Sequence, residues 1–213
     1  MNIKPPTLET ILRVAQIPES KVLAVYPYGS RVYGTHGHSS DHDYIVVYDF
    51  DYNDVVNKDS QQYDSYDKSI SVHTYHEQTW NRHLDDQKIF AVECHSLMPM
   101  EMFSFQCRHD LLRKEISSKA SNSWVKCKKK LTVETGEEHI GIKSLFHSFR
   151  IPMFGIQVAQ QGRIVDFTVA NDLWFNEFEP MLHNIPTWDI IKEEYQPRHN
   201  ALMSEFRKYA EKV

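Results

Sequence analysis

Hydrophobic and polar residues follow a helical period once, and a strand-like pattern three times, in the first part of the chain. Residues 7–17 predict a helix that Thr7 caps, with an apolar face made of Leu8, Ile11, Leu12 and Ala15. Residues 21–28, 43–48 and 70–75 predict strands. The first two are rich in β-branched and aromatic side chains, and the third alternates between two faces.

The polar segment 51–68 predicts a surface loop, and from about residue 76 the apolar spacing is helical almost to the end. The Thr-Gly-Glu-Glu run that starts at Thr135 is typical of a capping box, and the helix it opens runs past Arg150 and meets Pro152. Residues 198–212 predict a last helix, with one face made of Leu202, Phe206 and Tyr209. Strands followed by helices indicate an α+β chain: a small sheet, then a helical lobe.

The residues with the clearest chemistry lie between the first two strands. Gly29 and Ser30 directly follow the first strand, and Asp41 and Asp43 open the second. Because residues i and i+2 of a strand point the same way, the two carboxylates share one face. Their repulsion is relieved by a hard cation such as Mg²⁺, whose coordination phosphate oxygens complete. The Gly-Ser turn offers N–H groups and a hydroxyl to a phosphate, and glycine allows close approach.

A second polar group lies on the helix predicted within residues 140–156. Its apolar stripe consists of Ile142, Leu145, Phe146, Phe149, Met153 and Ile156. Lys143, His147 and Arg150 form a separate stripe, about a right angle or slightly more away. Two permanent cations beside a histidine suit the triphosphate tail of a nucleotide. The alternative is an ordinary solvated helix edge.

A lysine-rich run occupies residues 126–130, directly after Trp124 and Val125. Such a run steers RNA or an NTP towards a site, or it simply solubilises a helix face. The sequence leaves both interpretations open.

Composition narrows the classes of function. The 213 residues carry a formal net charge of −5, without the basic excess that is typical of nucleic-acid-binding proteins. No signal-peptide pattern and no apolar run of about 18 residues is present. The three cysteines, Cys94, Cys107 and Cys127, are too widely spaced for a CxxC metal site. We therefore expect a soluble cytoplasmic protein without a membrane partner.

Histidines near the aspartates raise two further hypotheses. His36, His38 and His42 are close in sequence, but closeness within a loop does not establish the geometry of a zinc site. The pairs His42-Asp43 and His109-Asp110 also suggest an HD-type metal phosphohydrolase, which places such a pair on a helix. His42-Asp43 leads into a predicted strand, which disfavours this class. We interpret most of the histidines as loop or surface residues.

The stretch YGSRVYGTHGHSSDHDYIVV is similar to the signature of the DNA polymerase β-like nucleotidyltransferase superfamily. Arg31, Tyr33 and Gly34 resemble its subgroup of predicted nucleotidyltransferases associated with RNA-repair ligases. Two later stretches also resemble that subgroup: Tyr75 with Trp80 and Glu93, and KSLFHSFR at 143–150 followed by Gly162. The matches span about residues 22–165.

The resemblance implies a polymerase β-like fold, with a small mixed sheet and flanking helices in a catalytic core (1–100) and a helical nucleotide- or acceptor-binding lobe (101–213). It implies that Asp41 and Asp43 hold two Mg²⁺ ions. It also implies that a nucleotide such as ATP is bound by Gly29, Ser30, Arg31, Lys143, His147 and Arg150. The acceptor is an RNA end, a protein hydroxyl or a small molecule.

The same resemblance implies a third carboxylate on the strand at 70–75, whose inward candidates here are Ser71 and His73. Neither is acidic, and the next candidates along the chain are Asp67, Glu77 and Glu93. If no carboxylate takes this place, His73 is a candidate for the base that accepts the acceptor's proton. The missing acid also favours an alternative function, a nucleotide-binding or antitoxin-like module that keeps the fold without turnover.

Overall fold

The computed structural model describes residues 5–49, 60–134 and 136–211. They form two compact units. The first is built from Met1–Asp85 and Cys94–Phe105, and the second from Asp86–Glu93 and Gln106–Val213. In the described ranges, no helix is both long and apolar enough to cross a membrane.

The first unit is a four-stranded mixed sheet with helices. Its elements are α1 (Leu8–Ala15), a 3-10 turn (Glu19–Lys21), β1 (Val22–Tyr28), α2 (Ser30–Tyr33), β2 (His42–Tyr48), β3 (Ser60–Asp64), β4 (Ile70–His76) and α3 (Glu77–Asp85). The strand order is β1-β2-β4-β3. β2 runs parallel to β4, and the other two pairs are antiparallel. The α+β class predicted from the sequence is confirmed.

The two faces of the sheet are covered differently. One face packs against α1 in an apolar cluster of Ile11, Leu12, Ala15, Val46, Ile70 and Val72. Thr7 caps α1 as predicted, because its Oγ1 accepts a hydrogen bond from the backbone N–H of Thr10 at 3.3 Å. On the opposite face Trp80 of α3 is buried, with its ring centroid 5.4 Å from that of Tyr26 and 5.7 Å from that of Tyr75.

The polar segment 51–68 was expected to be a loop, and that prediction is wrong for residues 60–64. These residues form β3, which pairs with β4 at the edge of the sheet. An edge strand whose side chains face solvent needs no apolar alternation, so the sequence Ser-Gln-Gln-Tyr-Asp does not show the strand pattern. Residues 51–59 lie outside the described part.

The second unit is helical. It contains α5 (His109–Thr132), α6 (Glu138–Gln161), α7 (Asn171–Leu173), a π-helical turn (Trp174–Phe178), α8 (Glu179–Met181) and α9 (Trp188–Tyr209), while α4 (Ile89–Leu97) passes from this unit into the first. α5 and α6 are antiparallel: a Cβ on Gly141 would lie 3.4 Å from the Cys127 carbonyl, and one on Gly155 would lie 3.0 Å from Ile116.

α6 does not stop at Pro152. It continues to Gln161 with the proline inside, although Pro152 has no N–H to donate to the preceding turn. The predicted capping residue Thr135 lies outside the described part. Next to it, the N–H of Gly136 donates to Glu138 Oε1 at 3.0 Å, so a carboxylate of the first turn does bond back to the backbone before the helix.

Candidate active site

Gly29 and Asp43 meet at one end of the sheet in the first unit. β1 ends at Tyr28, whose Cα is paired with that of Asp43, so the turn after β1 lies beside the start of β2. Gly29 has φ +77° and ψ −158°, a conformation that is essentially restricted to glycine. A Cβ at this position would overlap Oδ2 of Asp43 and lie 2.9 Å from its Cγ. The backbone of the predicted phosphate turn therefore lies directly against a predicted metal ligand.

Arg31 fixes the loop that carries the aspartates. Its Nε donates to the carbonyl oxygen of Asp41 at 2.9 Å, and its Nη2 donates to that of Ser40 at 2.6 Å. Both bonds join the short helix α2 to the chain just before β2. Arg31 is thus engaged with backbone carbonyls, and its predicted contact with a nucleotide stays a prediction.

The carboxylate of Asp43 lies in a field that disfavours its charge. Partial burial, followed by the neighbouring charges of Asp41 and Asp64, raises the pKa of Asp43 to about 6, while the Arg31 cation opposes them. Two carboxylates held together with a net unfavourable field are the setting in which a cation gains the most by binding.

A third carboxylate reaches this end of the sheet from β3. Ser71 of β4 is the Cα partner of Asp43 on one side and of Asp64 on the other, so all three side chains point to the same face. The amide of Gln62 donates to Asp64 Oδ1 at 3.3 Å and to Ser71 Oγ at 3.2 Å. Sequence reasoning missed Asp64 because it missed β3.

One signal in the sequence could have revealed this strand. The segment between Asp64 and Ile70 has the Ser and Asp residues of a tight turn. In the structure the Asp67 carboxylate accepts hydrogen bonds from Ser65 Oγ, Ser69 N–H and Ser69 Oγ. Asp67 was a candidate for the third carboxylate, and here it organises the hairpin turn instead.

His73 lies two residues after Ser71 on β4, on the same face of the sheet, and its Cα partner on β3 is Gln62. Burial lowers the pKa of His73, and the charge of Asp64 opposes that effect. The ring is therefore neutral near pH 7, the form that can accept a proton. Its role as a base stays a prediction.

The predicted cationic stripe belongs to α6 of the second unit, and its three members differ in depth. Lys143 is exposed, His147 is half-buried, and Arg150 is buried with only 5% of its surface accessible. Arg150 Nη2 lies 3.8 Å from Glu93 Oε1, and its guanidinium lies 5.1 Å from the centre of the Phe154 ring. Glu93, a candidate for the third carboxylate, is thus paired within the second unit. Glu77, another candidate, is the first residue of α3.

The charge of Asp41 acts on the Asp43 carboxyl group, but the donor set is small. Within residues 5–49, 60–134 and 136–211, no group of three or more Asp, Glu, His or Cys side chains is arranged to hold a metal ion. A hard cation at Asp41 and Asp43 would therefore need further oxygen ligands from a substrate or from water, as Mg²⁺ sites commonly have.

Arg31→Met is expected to raise the pKa of Asp43 above about 6, because it removes the Arg31 cation, which opposes the raised value. It should also loosen the Ser40–Asp41 backbone, which loses two hydrogen bonds. Carboxyl-carbon NMR titration of the metal-free chain measures the shift. Arg13→Met on α1 is the control, and an unchanged Asp43 titration in Arg31→Met would contradict the arrangement.

Comparison with known proteins adds little to this geometry. No family model matches the chain, and no curated protein matches it. Among solved structures it is similar to a nucleotidyltransferase-like protein from Exiguobacterium sibiricum, with a TM-score of 0.28 and 12% sequence identity. The alignment covers 96% of this chain and 74% of that one. At this TM-score the likeness identifies neither the fold nor the function, so the function is inferred from the residues at the end of the sheet.

Proposed function

We propose that this chain is a Mg²⁺-dependent nucleotidyltransferase of the polymerase β-like type, which transfers a nucleoside monophosphate from an NTP to a hydroxyl acceptor and releases pyrophosphate. The observation that carries the proposal is the contact of the Gly29 backbone with the Asp43 carboxylate. It brings a turn suited to phosphates against a pair of carboxylates suited to a cation.

The donor set fits magnesium. Asp41 and Asp43 supply hard oxygen ligands. Burial first, and then the charges of Asp41 and Asp64, raise the pKa of Asp43, and a bound cation would offset both effects. When bound, Mg²⁺ would neutralise charge on the transferring phosphate and on the leaving pyrophosphate. We assign Asp64 as the third carboxylate, because it shares the face of Asp43 across Ser71.

The other residues of the first unit have roles in positioning and proton transfer. Gly29 and Ser30 would bind phosphate oxygens, and Arg31 would hold Asp41 in place through its backbone carbonyl. The acceptor's oxygen forms a bond to the α-phosphorus while the bond to pyrophosphate breaks. His73, neutral and on the same face, would take the hydroxyl proton.

The polar stripe of α6 has its own proposed role. We assign Lys143 and His147 to the phosphates of a nucleotide, and Arg150 to the support of this part of α6. This assignment is made for the second unit alone. The depth of Arg150, buried against Glu93 and Phe154, argues for a bracing role.

A second candidate function is nucleotide binding without turnover, as in an antitoxin-like module. The observation that favours it is that no ready group of three metal-binding side chains exists in the described part of the chain. One measurement distinguishes the two functions.

That measurement is the release of pyrophosphate from each of the four NTPs, labelled at the α-phosphate, with Mg²⁺ and cell extract as the source of acceptors. A transferase yields pyrophosphate and a labelled product in equal amounts. Bound but intact NTP would support the second candidate, and neither binding nor turnover of any NTP would contradict both.

Asp64→Asn is expected to lower the transfer rate by about 10- to 100-fold, because it removes a charge beside Asp43 without changing shape. A matched rescue is available in Ser71→Asp, which restores a carboxylate on the same face, on the strand between Asp43 and position 64. The double variant should regain part of the lost rate. If Asp64→Asn transfers nucleotide as fast as the parent chain, Asp64 has no part in the site.

A further inference from the structure

The lysine-rich run of α5 divides into two kinds of residue. Lys129 and Lys130 form ion pairs with Glu134, and Lys130 also pairs with Glu137. These two lysines therefore close the α5–α6 connection and are not available for a ligand. Lys126 and Lys128 are exposed, and within the described ranges neither side chain makes an ion pair.

Lys126 directly precedes Cys127, a residue of α5 that contacts α6. The helices are antiparallel, with Gly141 packed on Cys127 and Gly155 packed on Ile116. The residue before Cys127 is thus next to the turns of α6 that follow Gly141, which carry Lys143 and His147. The positive charges of Lys126 and Lys143 both act on the His147 ring.

This arrangement places the positive charges of Lys126 and Lys143 around the ring of His147. Lys143, like Lys126, makes no ion pair within the part of the chain that the structure describes. Helix pairs ordinarily place opposite charges across their contact, because like charges at this spacing repel. A cluster that keeps them unpaired is typical of a site for an anion.

His147 adds a polar group to this cluster. Its Nδ1 is buried and has no hydrogen-bond partner among the described residues. Burial first, and then the charges of Arg150, Lys126 and Lys143, lower its pKa to about 3, so the ring is neutral near pH 7. An anion bound to the lysines would offset the positive field that now acts on the ring.

Arg150 differs from the two lysines. Its guanidinium is buried, faces Glu93 and stacks over Phe154, so it is already held by groups of its own unit. Lysines can reach a phosphate as mobile point charges, whereas this guanidinium is fixed in the helix packing. The residues suited to contact a ligand are therefore those at the surface.

We propose that Lys126, Lys143 and His147 form a binding site for a polyphosphate group on the α5–α6 surface, with Arg150 as a bracing residue and not a ligand. Lys126 enters the site from α5, which the helical spacing of α6 alone does not reveal. The proposal deepens the proposed function and rests on it, since the polyphosphate of an NTP is one source of such a group, and inorganic tripolyphosphate is another.

The test measures binding by isothermal titration with the full chain in EDTA, so that neither metal nor turnover contributes. The ligands are tripolyphosphate, ATP and AMP. Lys126→Gln and Lys143→Gln should each weaken tripolyphosphate and ATP binding by about tenfold or more, which is the value of one charge-assisted contact. AMP should bind weakly and respond little.

Lys128→Gln is the matched control. It removes the same charge from the same run, two residues away, and should change affinity by less than about twofold. Equal losses in Lys126→Gln and Lys128→Gln would mean general attraction by surface charge and would overturn the site. So would no tripolyphosphate binding by the parent chain, or equal losses for AMP and ATP.

The design separates this proposal from the function of the first unit. Arg13→Met, which removes an exposed cation from α1 of the first unit, should bind tripolyphosphate as the parent chain does. Tripolyphosphate binding that depends on Lys126 in a chain without any transferase activity would support this site and contradict the proposed function. If both lysine variants keep the parent chain's tripolyphosphate binding and its transferase activity, the result would contradict this site and support the proposed function.

Discussion

Asp43→Asn is expected to abolish nucleotide transfer and, at the same time, to stabilise the metal-free fold at pH 7. The loss of activity follows from removing a charged ligand, whose electrostatic contribution is several kcal/mol, or roughly 10²–10³-fold or more in rate. The gain in stability follows from the pKa of Asp43, which folding raises from 3.8 to about 6. At pH 7 the folded chain carries a charge that its surroundings disfavour.

The sign of the pH dependence follows from this shift. Between pH 3.8 and about 6 the folded chain binds more protons at Asp43 than the unfolded chain does, so its stability rises as the pH falls. Above pH about 6 Asp43 is charged in both the folded and the unfolded chain, so the full free-energy cost of its charge is present. With a discount for solvent screening of a partly exposed group, asparagine should add on the order of 1 kcal/mol at pH 7, or about 2–4 °C in Tm.

The measurement pairs initial rates of pyrophosphate release with calorimetry at pH 7 and pH 4. Asp41→Asn should also lose transfer, and Asp86→Asn, an exposed carboxylate of the second unit, should change neither quantity. The Tm gain of Asp43→Asn over the parent chain should shrink towards pH 4. A variant that loses both activity and stability at pH 7 would show that Asp43 has a structural role.

Gly29→Ala is expected to reduce transfer on the order of 10²-fold and to destabilise the first unit by about 1–3 kcal/mol. The added methyl group overlaps the Asp43 carboxylate, and the backbone conformation at Gly29 is one that alanine rarely adopts. A displacement of about 1 Å in a reacting or ligating group is enough for such a loss of rate.

Gly37→Ala is the matched control for this variant. It lies in the same connection between β1 and β2, and a Cβ there meets nothing within 4 Å. It should leave both the rate and the free energy of unfolding close to those of the parent chain. If Gly29→Ala is destabilised but transfers nucleotide normally in its folded fraction, then the contact with Asp43 serves folding alone.

The sequence locates Gly29 and Asp43, because one directly follows a strand and the other lies at the start of the next strand. Asp41 precedes β2, so the common face expected for Asp41 and Asp43 stays a prediction. Asp64 could not be found in the same way. Its place depends on an edge strand that pairs through backbone hydrogen bonds and shows no apolar period.

The cationic stripe shows a second reason why sequence reasoning stops short. Helical spacing places Lys143, His147 and Arg150 on one side of α6, but it gives no information on depth. α6 packs against both α5 and α9, so its buried surface is wide and includes Arg150. Which residue from α5 joins the stripe depends on helix pairing, a long-range property.

The packing of Trp80 has a spectroscopic consequence. The chain has four tryptophans, and Trp80 is in the first unit, whereas Trp124, Trp174 and Trp188 are all in the second. Replacing those three by phenylalanine would leave one tryptophan, which can be excited selectively at wavelengths that the 11 tyrosines do not absorb. It is shielded from water and stacked on Tyr26 on the face of the sheet that carries Asp43. Its emission would report the denaturation of that unit alone.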